Sequence, residues 1–323
     1  MDWEGFRRLA QFHRIEGLSW EYLSRDQSAV PPSIARTLKE AATAAAIQNL
    51  QAISESHRLL AAFSHARIPL LFLKGLTLAA IAYRNPALKS AIDIDLLIDP
   101  EDLRGSAILL RNLGYHLVIP TDSTSEDALR LWHRRRKESV WVNETGLQID
   151  LHTRAADNAA LIPAITVQAR SQTVEVGGVE LPTLAPEELF AYLAVHGASS
   201  AWFRLKWIAD FAGMLHRGPG ADIERLYRRS QELAAGRAAG QALLLADALF
   251  GSMVENDSLR TELSADRATR WLLRAAWRQL TGPPEEPTEN RLGTVAIHAT
   301  QFLLKPGIGY KASELAGQIG RLR

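Results

Sequence analysis

The chain has 323 residues, enough for two domains or for one domain with a helical extension. Apolar residues make up 47% of it, which supplies a sizeable core and excludes wholesale disorder. A formal net charge of +1 gives no global pull toward nucleic acid or an anionic membrane, and the absence of cysteine excludes disulfides, thiolate zinc sites and cysteine nucleophiles.

The opening Met1-Asp2-Trp3-Glu4 lacks the basic flank and apolar stretch of a signal peptide. No run of about 18 uninterrupted apolar residues occurs, so a soluble cytoplasmic protein with no membrane partner is expected.

Residues 1–66 read as a helical N-terminal segment. Pro31-Pro32 marks a break and a start, and the stretch from Ser33 to Ala66 is rich in Ala, Leu, Gln, Glu and Arg, with Leu50, Ile53 and Leu60 on one stripe. Residues 67–184 change texture to short apolar runs between turn signals, which predicts a mixed α/β core. Leu70-Leu71-Phe72-Leu73 reads as a buried strand meeting a turn at Lys74-Gly75, and Leu76, Ala79, Ala80 and Tyr83 follow a helical template. Ile92–Ile98 reads as a second strand. Asp99 caps a helix with Pro100 in its first turn, and Gly114 ends it. Ser139–Asn143 and Leu147–His152 form a hairpin around Glu144-Thr145-Gly146, and Gly177-Gly178 joins Thr173–Val176 to Val179–Leu181.

Residues 185–323 read as a helical C-terminal domain. Pro186-Glu187-Glu188 opens one helix, and Leu205, Ile208, Ala212 and Leu215 mark another. The run Gly282-Pro283-Pro284-Glu285-Glu286-Pro287 predicts an exposed linker ahead of the last helices.

The chemistry centres on Asp93-Ile94-Asp95. In a strand, alternation sends both carboxylates to one side and buries Ile94 and Leu96 on the other. Two such carboxylates, about 7 Å apart along the strand, repel and call for a cation between them. Magnesium characteristically joins one or two protein carboxylates to substrate phosphates. Asp150, on a later strand between Ile149 and Leu151, supplies a third carboxylate, as a two-metal site needs. Lys74-Gly75, at a strand-to-helix junction, offers a positive charge, close backbone approach and a helix N-terminus to phosphate.

Together, Leu73-Lys74-Gly75, Leu78-Ala79, Tyr83, Asp93-Ile94-Asp95-Leu96-Leu97, Gly114-Tyr115 and Asp150-Leu151-His152 resemble the polymerase-β-like nucleotidyltransferase superfamily. More closely, they resemble a bacterial group of uncharacterised nucleotidyltransferases, over roughly residues 45 to 215. A more distant one is to nucleotidyltransferase toxins of abortive-infection and toxin–antitoxin systems. The resemblance implies an α+β nucleotidyltransferase core, a mixed sheet with helices, flanked by helical N-terminal and C-terminal regions. It also implies transfer of a nucleoside monophosphate from a nucleoside triphosphate to an acceptor hydroxyl, with release of pyrophosphate. Asp93, Asp95 and Asp150 would hold two magnesium ions, while Lys74, Gly75 and Lys89 would meet the triphosphate.

Two positions depart from the pattern. The superfamily's Gly-Ser pair is Lys74-Gly75-Leu76 here, leaving Thr77 as the nearest hydroxyl, and Lys89 stands where the group commonly has arginine. The altered turn supports an alternative, a nucleotide-binding or interaction protein of the same fold without turnover. A toxin-like enzyme acting on tRNA is a further alternative, which the near-neutral charge disfavours.

Weaker signals complete the reading. His196, Arg204, Trp207 and Asp210 match a looser helical signature of the group, which makes Arg204 and Asp210 substrate-facing candidates. Lys206 and Asp210 are also spaced for a plain i, i+4 ion pair. His152 shares the face of Asp150. The basic run His133–Lys137 reads as a solvated helix end rather than a grip on RNA. The identity of the acceptor, whether small molecule, peptide, protein or RNA, is not encoded in any motif.

Overall fold

The computed structural model describes residues 2–26, 30–85, 88–89, 93–121, 125–217, 222–287 and 293–321. Three helices lead the chain: α1 (Trp3–His13), α2 (Glu16–Leu23) and the 34-residue α3 (Pro32–His65). Proline stands at the first position of α3, where its missing N–H costs no helical bond. The stripe that α3 buries is Ala52, Ser56, Leu59 and Phe63. Leu50, placed on the buried stripe by apolarity alone, is 67% exposed. Small Ala52 and Ser56 share the inner face with Leu59 and Phe63, so side-chain size alone does not mark that face.

Seven strands form one mixed sheet: β1 (Leu71–Phe72), β2 (Asp93–Leu97), β3 (Tyr115–Ile119), β4 (Glu138–Asn143), β5 (Gln148–His152), β6 (Ser171–Val176) and β7 (Val179–Leu184). Their order is β3-β4-β5-β2-β1-β7-β6, with β2·β5 and β1·β7 parallel and the other pairs antiparallel. The first strand is shorter than its apolar run, although Leu73 N–H still donates to the Asp95 carbonyl at 3.1 Å. Ile92 lies outside the described residues. Strand β3 has no counterpart in the sequence reading. At the β6–β7 turn both glycines have positive φ, +62° and +83°, and a Cβ on Gly177 would stand 2.6 Å from Ile53 of α3, so only glycine fits.

Helices α4 (Leu76–Tyr83), α5 (Leu103–Asn112) and α6 (Glu126–Arg135) connect the strands. As expected, Asp99 caps the turn before α5, its carboxylate accepting from Glu101 N–H at 2.9 Å, and Gly114 follows the helix with φ +87°. The rest is helical: α7 (Pro186–Ser199), α8 (Leu205–Arg217), α9 (Ile223–Glu232), α10 (Gly236–Phe250), α11 (Asp257–Ala265), α12 (Arg267–Thr281), α13 (Gly293–Gln301) and α14 (Ile308–Arg321). The fold is thus α+β with helical regions on both sides of the sheet segment. No helix among the described residues is long and apolar enough to cross a membrane.

Each face of the sheet has its own core. Ile94, Leu96, Ile98, Ile149 and Leu151 pack with Leu59 and Phe63 of α3 and Leu103, Ala107 and Leu110 of α5. Leu71, Leu73 and Leu97 join α7, α8 and α10 in a second cluster that includes Phe190, Phe211 and Leu243. Strand alternation therefore turns Asp93 and Asp95, which share a face with Leu97, toward α7 and α8. Residues 283–285 of the proline-rich stretch are exposed as expected, whereas Pro287 is buried and Glu286 pairs with Arg204.

Candidate active site

The site is built on the register of β2 against β5. Asp95 lies opposite Asp150, Leu97 opposite His152 and Asp93 opposite Gln148. Strand β4 then brings Glu138 opposite His152. Partners in neighbouring strands project on the same face about 4.8 Å apart. Ligand atoms of Asp95, Asp150 and His152 accordingly lie within 4.8 Å of one another, a group able to hold a metal ion.

The cation that the aspartate pair requires is supplied within the chain by Lys74. Its ammonium lies 2.5 Å from Asp95 Oδ2 and 3.7 Å from Asp93 Oδ2. The side chain is aimed by Gly75, whose φ of +73° and ψ of −119° open α4 in a conformation that a Cβ would strain. On the other side of Asp95, His152 Nε2 is 3.1 Å from Oδ1, and His152 Nδ1 is 3.2 Å from Glu138 Oε2. His152 is fully buried rather than a surface residue; Nε2 bonds to Asp95, while Nδ1 stands near Glu138 without a hydrogen bond. Glu138 also pairs with Lys137 at 2.7 Å.

These contacts separate the protonation behaviour of the acids. Burial alone would raise Asp95, but Lys74 and then His152 outweigh it and hold the carboxyl far below its usual range. Glu138 is likewise drawn down to about 2, because Lys137 and His152 overcome its burial. Asp150 goes the other way, pushed up to about 7 by burial and by the charges of Asp95, Glu138 and Asp93. Gln148 donates to its Oδ1 at 2.8 Å, and that neutral donor leaves the repulsion standing. For Lys74, burial opposes the charge, yet Asp95 and Asp93 hold the ammonium well above its ordinary value.

The carboxylates line a cavity of about 180 Å³ whose far wall is helical. Lys89 pairs with Asp210 Oδ2 at 2.7 Å, and Tyr83 O–H donates to Asp210 Oδ1 at 2.8 Å, so α4 and α8 are tied together at the rim. Asp210 forms its ion pair with Lys89 rather than with Lys206, four residues before it. Lys206 lines the cavity instead, and burial, followed by the charge of Lys89, lowers its pKa to about 8. Arg14, His196 and Trp207 complete the wall.

The structure brings Asp93, Asp95, Asp150, Lys74, Gly75, Lys89 and Asp210 into this one cavity, with His152 directly behind it. Two candidates stand elsewhere. Thr77 is 1% exposed and its hydroxyl donates to the Lys74 carbonyl at 3.3 Å. Arg204 stacks over Phe12 and Phe203, 4.7 and 5.3 Å from the ring centroids, and pairs with Glu286, joining α1 to the segment after α12. His133, taken for part of a solvated helix end, is buried between Thr153 and Ser139 at 2.9 and 3.0 Å.

Glu138 and Arg14 had no role in the sequence reading, while Lys137 entered it only in the basic run, Lys206 only as an ion-pair partner of Asp210, and His196 and Trp207 only in a loose signature. One of them was within reach. The hairpin turn at 144–146 fixes the register, and counting back from Asp150 and His152 lands on Val140 and Glu138. Arg14, which follows α1, and Lys206 of α8 are far from β2 and β5 in the chain, and no local spacing places either of them at this cavity.

A mixed α+β sheet with acidic residues from two neighbouring strands gathered beside lysines defines a protein equipped to hold cations and anions together. Residues 1–251 match the family described as "Uncharacterised nucleotidyltransferase", and the chain belongs to that family. No curated protein matches the chain.

Proposed function

We propose that the cavity transfers a nucleotidyl group from a nucleoside triphosphate to an acceptor hydroxyl, with pyrophosphate as leaving group and magnesium held by Asp93, Asp95 and Asp150. The observation that carries this reading is the register that sets Asp95 beside Asp150 on parallel strands. The donor set suits the metal. Carboxylate oxygens are magnesium's preferred ligands, and the unrelieved repulsion around Asp150 is what a divalent ion removes. Bound there, the metal would neutralise phosphate oxygens and lower the pKa of the acceptor hydroxyl.

The chain's own residues do the rest. Lys74, Lys89, Lys137 and Lys206 line the cavity and neutralise the triphosphate, together with the backbone amides that open α4. His152 orients Asp95 through Nε2. The acceptor oxygen attacks the α-phosphorus in line, the bond to pyrophosphate breaks with its electron pair leaving on pyrophosphate, and the hydroxyl proton passes to solvent water. Catalysis is positioning and charge neutralisation.

A second reading rests on Lys74, whose ammonium already stands between the two β2 aspartates. A chain that keeps this ion pair with nucleotide bound would bind without turnover. Incubating the protein with α-labelled nucleoside triphosphates, magnesium and an acceptor extract separates the two. Label transfer that disappears in Asp150→Asn supports the transferase; tight nucleotide binding with no transfer supports the binding protein.

A further inference from the structure

A second charged cavity, of about 290 Å³, opens beside the first. Arg134, Arg135, Arg136 and Arg154 line it, against Asp157 and Glu314 as its acids. Arg154 is the informative residue. Its Nε and Nη2 are buried and have no hydrogen-bond partner. Buried guanidinium nitrogens without acceptors cost on the order of 1–3 kcal/mol for each unmet group, so these two call for an acceptor that the chain does not supply. Glu314 Oε2 accepts from Asn158 at 2.9 Å and Oε1 from Gln318 at 3.0 Å. Burial lowers the Arg154 pKa, and Asp157 opposes that only in part.

The two cavities adjoin. Arg136 lines this one and Lys137, the next residue, lines the catalytic one. Asp157 acts on charges of both, Arg154 here and Lys137 there. The outer wall is the small-residue face of α14, with Ser313, Ala316, Gly317 and Gly320. That helix lies beyond residues 1–251, so the wall is not part of the segment that carries the family likeness.

We propose that this cavity binds the phosphate group of a small phosphorylated acceptor, presenting the rest of that molecule to the neighbouring catalytic cavity. Arginine forks are matched to phosphate oxygens in a way that lysine points are not. A volume near the lower end of ligand pockets fits a phosphate with a sugar-sized group rather than a polymer. The chain's net charge of +1 likewise provides no extended basic track for a nucleic acid backbone. The acceptor role rests on the transferase reading, whereas the anion site stands without it.

The test is a calorimetric titration of the full chain with inorganic phosphate, without magnesium or nucleotide. Arg154→Gln removes the unpaired fork. Gly317→Leu fills the cavity with no change of charge, at a position where an added Cβ meets nothing within 4 Å. Both are expected to weaken phosphate binding by about tenfold or more, the scale of one lost charge-assisted hydrogen bond. Asp150→Asn and Lys206→Met, in the other cavity, are expected to change it less than about twofold. Phosphate affinity that survives both pocket variants, or that falls only with Lys206→Met, overturns the site. A short oligoribonucleotide that binds more tightly than phosphate through Arg154, with a steep salt dependence, overturns the small-molecule assignment. Phosphatase treatment of the acceptor extract, with the phosphatase removed before the labelled nucleotide is added, is expected to abolish label transfer. Undiminished transfer refutes the acceptor role and leaves the anion site standing.

Discussion

The two adjoining cavities handle charge in opposite ways. In the carboxylate cavity Lys74 is matched to Asp95, Lys137 to Glu138 and Lys89 to Asp210, each within 2.7 Å. In the arginine cavity the buried atoms of Arg154 face no acceptor. Paired charges can be exchanged, an ammonium giving up a carboxylate for a phosphate as a metal ion takes the carboxylate. An unpaired charge can only be satisfied by what arrives. The first arrangement suits a reacting group whose charge changes, and the second suits a handle that stays the same throughout.

The largest expected effect comes from breaking a matched pair. Asp95→Asn leaves Lys74 buried beside only the more distant Asp93, and removing one partner of a buried pair costs about 3–5 kcal/mol. Chemical denaturation should show that loss, along with loss of any transfer activity. Asp150→Asn separates the two effects. Transfer should fall by at least about 10²-fold, while metal-free stability should hold or rise by roughly 1 kcal/mol, because a carboxyl crowded by three like charges becomes neutral. A large destabilisation by Asp150→Asn would make this residue structural.

Arg204→Ala sharpens the contrast from outside both cavities. It removes the stacking on Phe12 and Phe203 and the pair with Glu286, and should cost about 1–2 kcal/mol of stability. Nucleotide affinity should change by less than about twofold; a tenfold loss would restore Arg204 to the substrate.

The smallest effect is one of pH. Lys206 loses its proton in the free protein at about 8. A triphosphate binds the charged form better, so its affinity should decline as pH rises past 8 in the native chain and stay flatter in Lys206→Met. Folding responds in the opposite sense. The unfolded chain binds the extra proton between pH 8 and the ordinary lysine value, so stability rises across that window, and Lys206→Met should remove the rise.

Much of this was written locally in the chain. Alternation on β2 and β5 fixed which way Asp93, Asp95 and Asp150 point, and the glycine after Lys74 marked the turn that aims it. What was hidden depended on contacts between distant elements. Lys206 and Asp210 have ideal helical spacing, yet Lys89 arrives from elsewhere and takes the carboxylate. Arg204 carries the chemistry of a phosphate ligand and is spent on aromatic rings. Arg134, Arg135 and Arg136 looked like a solvated helix end because their outer wall is supplied by a helix about 180 residues further on, and closure of that kind leaves no local pattern.

The account depends on Asp95 and Asp150 sharing a divalent ion. Manganese titration with a non-hydrolysable nucleoside triphosphate, followed by electron paramagnetic resonance, measures that sharing directly. The native chain should bind manganese with the nucleotide, and Asp150→Asn, with its fold intact, should lose at least about tenfold in affinity. Equal manganese binding by the native and Asp150→Asn proteins would contradict the shared site and the transferase with it.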